Sequence, residues 1–122
     1  QGLIAEDTKY NHNTTSFRIY NAGDVLIDPR YMPLKIKYKG KSNNLTIKNN
    51  TTGDLWNYSG VTTTLNDVIT LDGVRAYRNV LGSIFKNTNW GLITLKPGWN
   101  DFVLTGTTDA FEVEFDFRFY YL

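Results

Sequence analysis

The chain has 122 residues, 41% hydrophobic and 15% aromatic, with 13 Lys and Arg against 12 Asp and Glu, the proportions of a single globular domain rather than of a disordered or fibrous chain. A folded chain of this length hides roughly 65–70% of the surface its unfolded form exposes, enough for one core. The lack of cysteine excludes disulfide staples, thiol catalysis, thiolate zinc and iron–sulfur clusters, and a net charge of +1 excludes the strongly basic footprint of sequence-independent phosphate binding.

No run approaches the roughly 18 consecutive apolar residues of a membrane span, and no signal peptide is visible. Neither nucleic acid nor membrane is therefore expected as a partner. The chain opens Gln-Gly-Leu and its only methionine is Met32, so residue 1 reads as an internal position of a longer protein. Residues 1–15, with the polar run Asn11-His12-Asn13-Thr14-Thr15, read as a flexible leader, and residues 16–122 as one domain.

From Ser16 onward, short alternating runs rich in β-branched and aromatic residues are separated by Asn, Asp and Gly clusters. This is the pattern of an all-β, two-layer antiparallel sandwich. Strands are predicted near 16–21, 33–39, 44–49, 54–58, 67–71, 74–79, 91–95, 100–105 and 111–121. The sharpest turn is Asp72-Gly73, a two-residue hairpin connection between Val68-Ile69-Thr70-Leu71 and Val74-Arg75-Ala76-Tyr77. In the last strand, Phe111, Val113, Phe115, Phe117 and Phe119 share one side while Glu112, Glu114, Asp116 and Arg118 share the other, because successive side chains point to opposite faces. Leu34 to Lys39 alternates likewise, setting Lys35, Lys37 and Lys39 in a cationic row.

The candidate chemistry is sparse. His12 is the only histidine and lies in the polar leader, which leaves no histidine-dependent triad or multi-histidine metal site. Glu112, Glu114 and Asp116 lie two apart on an open strand face, with nothing to drive their pKa values apart as glycoside hydrolysis needs. Asp67 and Asp72 lack the spacing of a calcium loop and read as turn formers. The Asn-x-Ser/Thr triplets at Asn13, Asn44, Asn49, Asn50 and Asn57 arise by chance in a chain this rich in Asn and Thr. No phosphate-cradling glycine loop is present. Trp56, Tyr58, Tyr77, Trp90, Trp99, Tyr120 and Tyr121 read first as core or interface packing, and second as a stacking platform for a sugar.

Several segments resemble a known family. Trp90-Gly91-Leu92-Ile93-Thr94-Leu95-Lys96-Pro97-Gly98-Trp99-Asn100-Asp101-Phe102, followed by Thr105-Gly106 and the aromatic ending Phe115 to Leu122, is similar to the C-terminal end of siphophage distal tail (Dit) proteins. Asn21-Ala22-Gly23-Asp24, Pro33 and Asn49-Asn50-Thr51-Thr52-Gly53 resemble further stations of that family in the same order. The resemblance covers residues 16–122 and implies a jelly-roll, galectin-like or carbohydrate-module-like sandwich at the periphery of a tail-tip baseplate hub. It implies a structural adaptor with no enzyme activity, cofactor or metal. Its expected partners are other tail proteins: the ring domain, the tail-associated fibre or lysin protein, and the receptor-binding protein. The full-length protein is expected as a hexameric ring in the virion tail, made in the host cytoplasm, and the isolated domain as a monomer or weak dimer. The expected contact residues are Trp56, Trp90 and Trp99 with the charged rows Lys35, Lys37, Lys39 and Glu112, Glu114, Asp116. The rows serve either a baseplate partner or one another across a sheet. The rival function is a carbohydrate-binding module for cell-wall polysaccharide that uses the same tryptophans.

Overall fold

Among the described residues, alternation along the chain resolves into eight antiparallel strands that form one hydrogen-bonded sheet. The computed structural model describes residues 4–79 and 83–121, with the side chains of all of these except 4–8, 85 and 121. The strands are β1 (Ile4–His12), β2 (Ser16–Asn21), β3 (Leu34–Asn49), β4 (Asp54–Asn57), β5 (Thr62–Thr63), β6 (Val68–Asp72), β7 (Arg75–Arg78) and β8 (Gly98–Tyr121). A single 3-10 turn, Phe85–Asn87, is the only helical element among the described residues.

Two long strands carry the architecture. The first half of β3 pairs with the second half of β8, from Leu34 opposite Phe117 to Gly40 opposite Phe111, and after an irregular stretch the pairing resumes from Thr46 opposite Thr105 to Asn49 opposite Phe102. β1, β6 and β7 extend the first of these halves, and β2 and β4 extend the second. Phe102 and Phe115 are 13 positions apart on β8, about 43 Å along an extended strand, yet their ring centroids are 4.8 Å apart in an edge-on contact. β8 therefore folds back on itself and the two halves face each other as the layers of a sandwich. The core fills the space between them: Leu34, Ile36, Tyr38, Ile69, Val113, Phe115, Phe117 and Phe119 from the first layer meet Phe17, Ile19, Leu45, Ile47, Trp56, Phe102 and Leu104 from the second. The alternating rings of the final strand point inward as their spacing predicts.

Four expectations about elements are corrected. The segment read as a flexible leader contains β1, which pairs with β8 from Ile4 opposite Tyr121 to His12 opposite Val113; residues 1–3 lie outside the described ones. Its polar sequence hides an edge strand in which Lys9 and Asn11 face solvent while Tyr10 turns to Phe117, 6.0 Å between centroids. The predicted strands 33–39 and 44–49 are one strand, β3, because Gly40 to Asn44 forms an irregularity in a continuing ladder rather than a reversal. The same holds for 100–105 and 111–121, which are joined in β8. Residues 91–95 form no strand, and only Leu95 makes a bridge, to Ile27.

Candidate functional site

The segment predicted as a strand at 91–95 is held largely by side chains instead of a ladder: the Asp54 carboxylate accepts from Thr94 N and Thr94 Oγ1, and buried amides take the neighbouring groups. Asn49 donates Nδ2 to Thr94 O at 2.8 Å and to Asn100 Oδ1 at 3.2 Å. Asn100 accepts from Lys96 N at 2.9 Å and donates to the carbonyls of Lys96, Gly98 and Ile19. Asn21 donates to Leu95 O and Val25 O and accepts from Gly23 N. All three asparagines are fully buried, and each satisfies backbone groups that would otherwise be orphaned in the interior. Asn100 thus closes the Lys96-Pro97-Gly98 turn.

This clamp fixes the start of β8 and with it Trp99. β2 lies alongside with Arg18 opposite Asp101 and Tyr20 opposite Trp99. Arg18 Nε donates to Asp101 Oδ1 at 2.9 Å, and its guanidinium sits 4.6 Å above the Trp99 ring. Tyr20 tilts against the same indole, 4.8 Å between centroids. Trp99 remains 51% exposed. The outcome is an aromatic cluster with a cation stacked on it and a carboxylate holding the cation, on the outer face of the second layer. Arg18, Tyr20 and Asp101 are not among the residues singled out from sequence; the alternation of β2 marks Arg18 and Tyr20 as outward, but their register with Trp99 is set by pairing that no local pattern contains.

The two charged rows lie on the outer face of the first layer and oppose each other. Lys35 pairs in register with Asp116, Lys37 with Glu114 and Lys39 with Glu112. Lys35 also faces Asp72, which faces Arg75, while Asp116 faces Lys9 on the other side. The cross-strand series Lys9, Asp116, Lys35, Asp72, Arg75 alternates in sign across five strands. Its ammonium–carboxylate distances are 3.9 Å for Lys9–Asp116 and 4.0 Å for Lys35–Asp72. A shallow hollow of about 580 Å³ crosses this face, lined by Lys9, Lys35, Asp72, Asp116 and Arg118 among others.

Trp56 is a correction. At 2% exposure it belongs to the core and tilts against Tyr58, because β4 turns it inward between the layers; no partner reaches its face. Tyr58 is buried too, Tyr77 and Tyr120 are half-buried, and the Tyr121 side chain lies outside the described residues. Trp90 is 70% exposed with φ 63°, on a loop whose Asn89 caps the edge of β4 by accepting from Asn57 N and donating to Leu55 O. His12 is half-buried, its ring stacked on Phe17 at 4.4 Å between centroids. The Asp67 carboxylate accepts from Thr64 N, Thr64 Oγ1, Arg78 Nη2 and Asn79 Nδ2; these donors, Asn79 foremost, hold it well below the usual carboxylate range. Among the described residues no group of three or more His, Asp or Glu is arranged to hold a metal ion.

No family model matches the chain, and no curated protein is similar to it in sequence. Among solved structures, SPP1 Dit, described as a paradigm of the hub adsorption apparatus in phages that infect Gram-positive bacteria, matches 93% of this chain with a TM-score of 0.58 at 12% identity. The chain spans 47% of that protein. The likeness is one of fold. A protein of the disulfide-linked pili of Bacillus endospore appendages matches 96% of this chain and 85% of its own at 15% identity, with a TM-score of 0.34, too low for a shared fold.

Proposed function

We propose that the chain is a non-enzymatic docking domain of a phage or prophage tail, positioned at the tail-tip hub, where it joins other virion proteins. The observation that carries this reading is the fold likeness to SPP1 Dit over 93% of the chain. It is supported by the coincidence between the resemblance and the packing. Asn21, Asn49 and Asn100, which sit in the segments that resemble distal tail proteins, are also the buried amides that clamp the Ile93–Gly98 segment. In this reading the full protein forms a hexameric ring, the domain alone is a monomer or weak dimer, and a fibre, lysin or receptor-binding protein docks on it. Trp90 and Trp99 are the proposed contacts, and the rows Lys35, Lys37, Lys39 and Glu112, Glu114, Asp116, already paired with one another in register, contribute to orientation rather than to affinity.

The test is association of the purified chain with the recombinant ring and fibre proteins encoded beside it, followed by calorimetry. Stoichiometric binding to one of them supports the reading, and absence of binding to all of them overturns it. The exposure of Trp90 and Trp99 favours a second reading, a carbohydrate-binding module for cell-wall polysaccharide. Arg18 already covers one face of Trp99, so a sugar that stacks on that face has to displace it. Cell-wall pulldown that is lost on Trp90→Ala or Trp99→Ala would select this second function.

A further inference from the structure

Among the described residues, one buried side-chain polar atom has no hydrogen-bond partner: Nε2 of His12. The ring is the outermost of three parallel rings that lead into the core. His12 lies 4.4 Å from Phe17 at an interplanar angle of 12°, and Phe17 lies 5.6 Å from Phe102 at 7°. Phe115 meets both phenylalanines edge-on. A neutral imidazole suits this position as an aromatic ring. An imidazolium has two N–H donors that need acceptors or water, and Nε2, shielded from solvent, meets no acceptor of the protein, so a proton there carries the cost of a donor left unpaired.

We propose that His12 makes the attachment of β1 to the sandwich sensitive to mild acid: proton uptake on its ring loosens the end of β1 from β8 and unstacks it from Phe17. The charged groups around it do not offset that cost. On β8, Val113 is its register partner, and Glu112 lines the same open hollow as Asn11, His12, Asn13 and Thr14. Glu112 in turn faces Lys39 of β3. On β2, Phe17 fills the contact while Arg18 is turned to Asp101 and Trp99 on the outer face. On β1 itself, Lys9 is directed to Asp116. Burial accordingly holds the imidazole below its ordinary value of 6.5.

The sign follows from linkage. Above the ordinary value both the docked and the released forms are neutral, and attachment is unaffected. As pH falls below that value the released form binds a proton first, and the opening equilibrium of β1 rises by up to about tenfold per pH unit until the docked form is protonated as well. Hydrogen exchange of the Tyr10 to Asn13 amides, corrected for the intrinsic rate and referenced to β3, reads this between about pH 7 and pH 5. The slope is expected in the native chain and absent in His12→Phe, which keeps a ring and removes the nitrogen. A flat profile in the native chain, or the same slope in His12→Phe, overturns the proposal. Because the chain has one histidine, NMR titration of its ring protons is an independent test that needs no variant. A midpoint below 6.5 agrees with the proposal, and one at or above it refutes it.

Discussion

At the scale of single residues, the interior is organised by polar side chains with directional demands. Asn100 uses its amide nitrogen toward three carbonyl oxygens and its amide oxygen toward Lys96 N and Asn49 Nδ2. Asn100→Asp keeps the shape and replaces the donor by an oxygen facing those carbonyls. It is expected to destabilise the fold by about 3 kcal/mol at neutral pH, the cost of an unmatched buried group. Relative to wild type at the same pH, the loss should shrink on acidification, when the introduced carboxyl takes a proton and donates once more. Urea unfolding at both pH values measures it, and a loss under about 1 kcal/mol would mean the clamp is not held by these bonds. Asp67 answers to the opposite condition. Its native carboxyl is depressed by its donors, so its contribution to stability is fully present above the unfolded value, about 4, and is lost as pH falls through the lower native one. Asp67→Asn should therefore be less stable than wild type near neutrality, with the gap closing below about pH 4. A gap constant across that range would contradict the assignment.

At the scale of elements, the folding of β3 and β8 onto themselves depends on close backbone approach at their irregular stretch. Gly106 and Gly53 both have left-handed φ, +81° and +83°, but their surroundings differ. A Cβ at Gly106 would lie 2.4 Å from Asn43 O, whereas at Gly53 nothing lies within 4 Å. Gly53→Ala should cost about 1 kcal/mol for backbone conformation alone. Gly106→Ala adds a clash with main chain and should cost about 3 kcal/mol, read as the larger fall in Tm. Equal effects would remove the distinction. Such features explain which elements were legible in sequence. The phenylalanines of β8 were readable because their period of two reports directly on which face is buried. β1 was not, because an edge strand with Lys9 and Asn11 outward reads as a polar tail. Gly91 to Leu95 imitates a strand in composition, yet its hydrogen bonds are made by the side chains of Asn21, Asn49 and Asp54 and the backbone of Ile27, all from elsewhere in the chain, and no local periodicity encodes them. The bends at Gly40 and Gly106 use turn residues to keep a ladder going rather than to reverse it. The candidate site divides in the same way. Alternation gave each charged row its face but not their register with one another, whereas Trp56 and Trp99, both on the second layer, could be told apart only by which face of it each one takes.

At the scale of the whole molecule, the two outer faces offer a partner different chemistry. On the first layer, Lys9, Asp116, Lys35, Asp72 and Arg75 neutralise one another in register. A partner that docks there has to replace pairings already made, and exposed pairs of this kind are worth only about 0.2–1 kcal/mol each. On the second layer, Trp99 and Tyr20 present apolar area beside the Arg18–Asp101 pair, and Trp, Tyr and Arg are the residues that anchor interfaces. If the chain is a docking domain, binding should run through the second face. Trp99→Ala is then expected to weaken the partner by about 30-fold, the equivalent of roughly 2 kcal/mol, while Lys35→Glu with Lys37→Glu changes affinity by less than about threefold. Raising the salt concentration should have little effect, because screening acts mainly on exposed charge. Trp99 is half exposed, so its truncation leaves the core intact and the loss reports on contact rather than unfolding, which a matched Tm would verify. Strong salt dependence together with loss on charge reversal would instead assign docking to the first face, with the alternating rows as its register code.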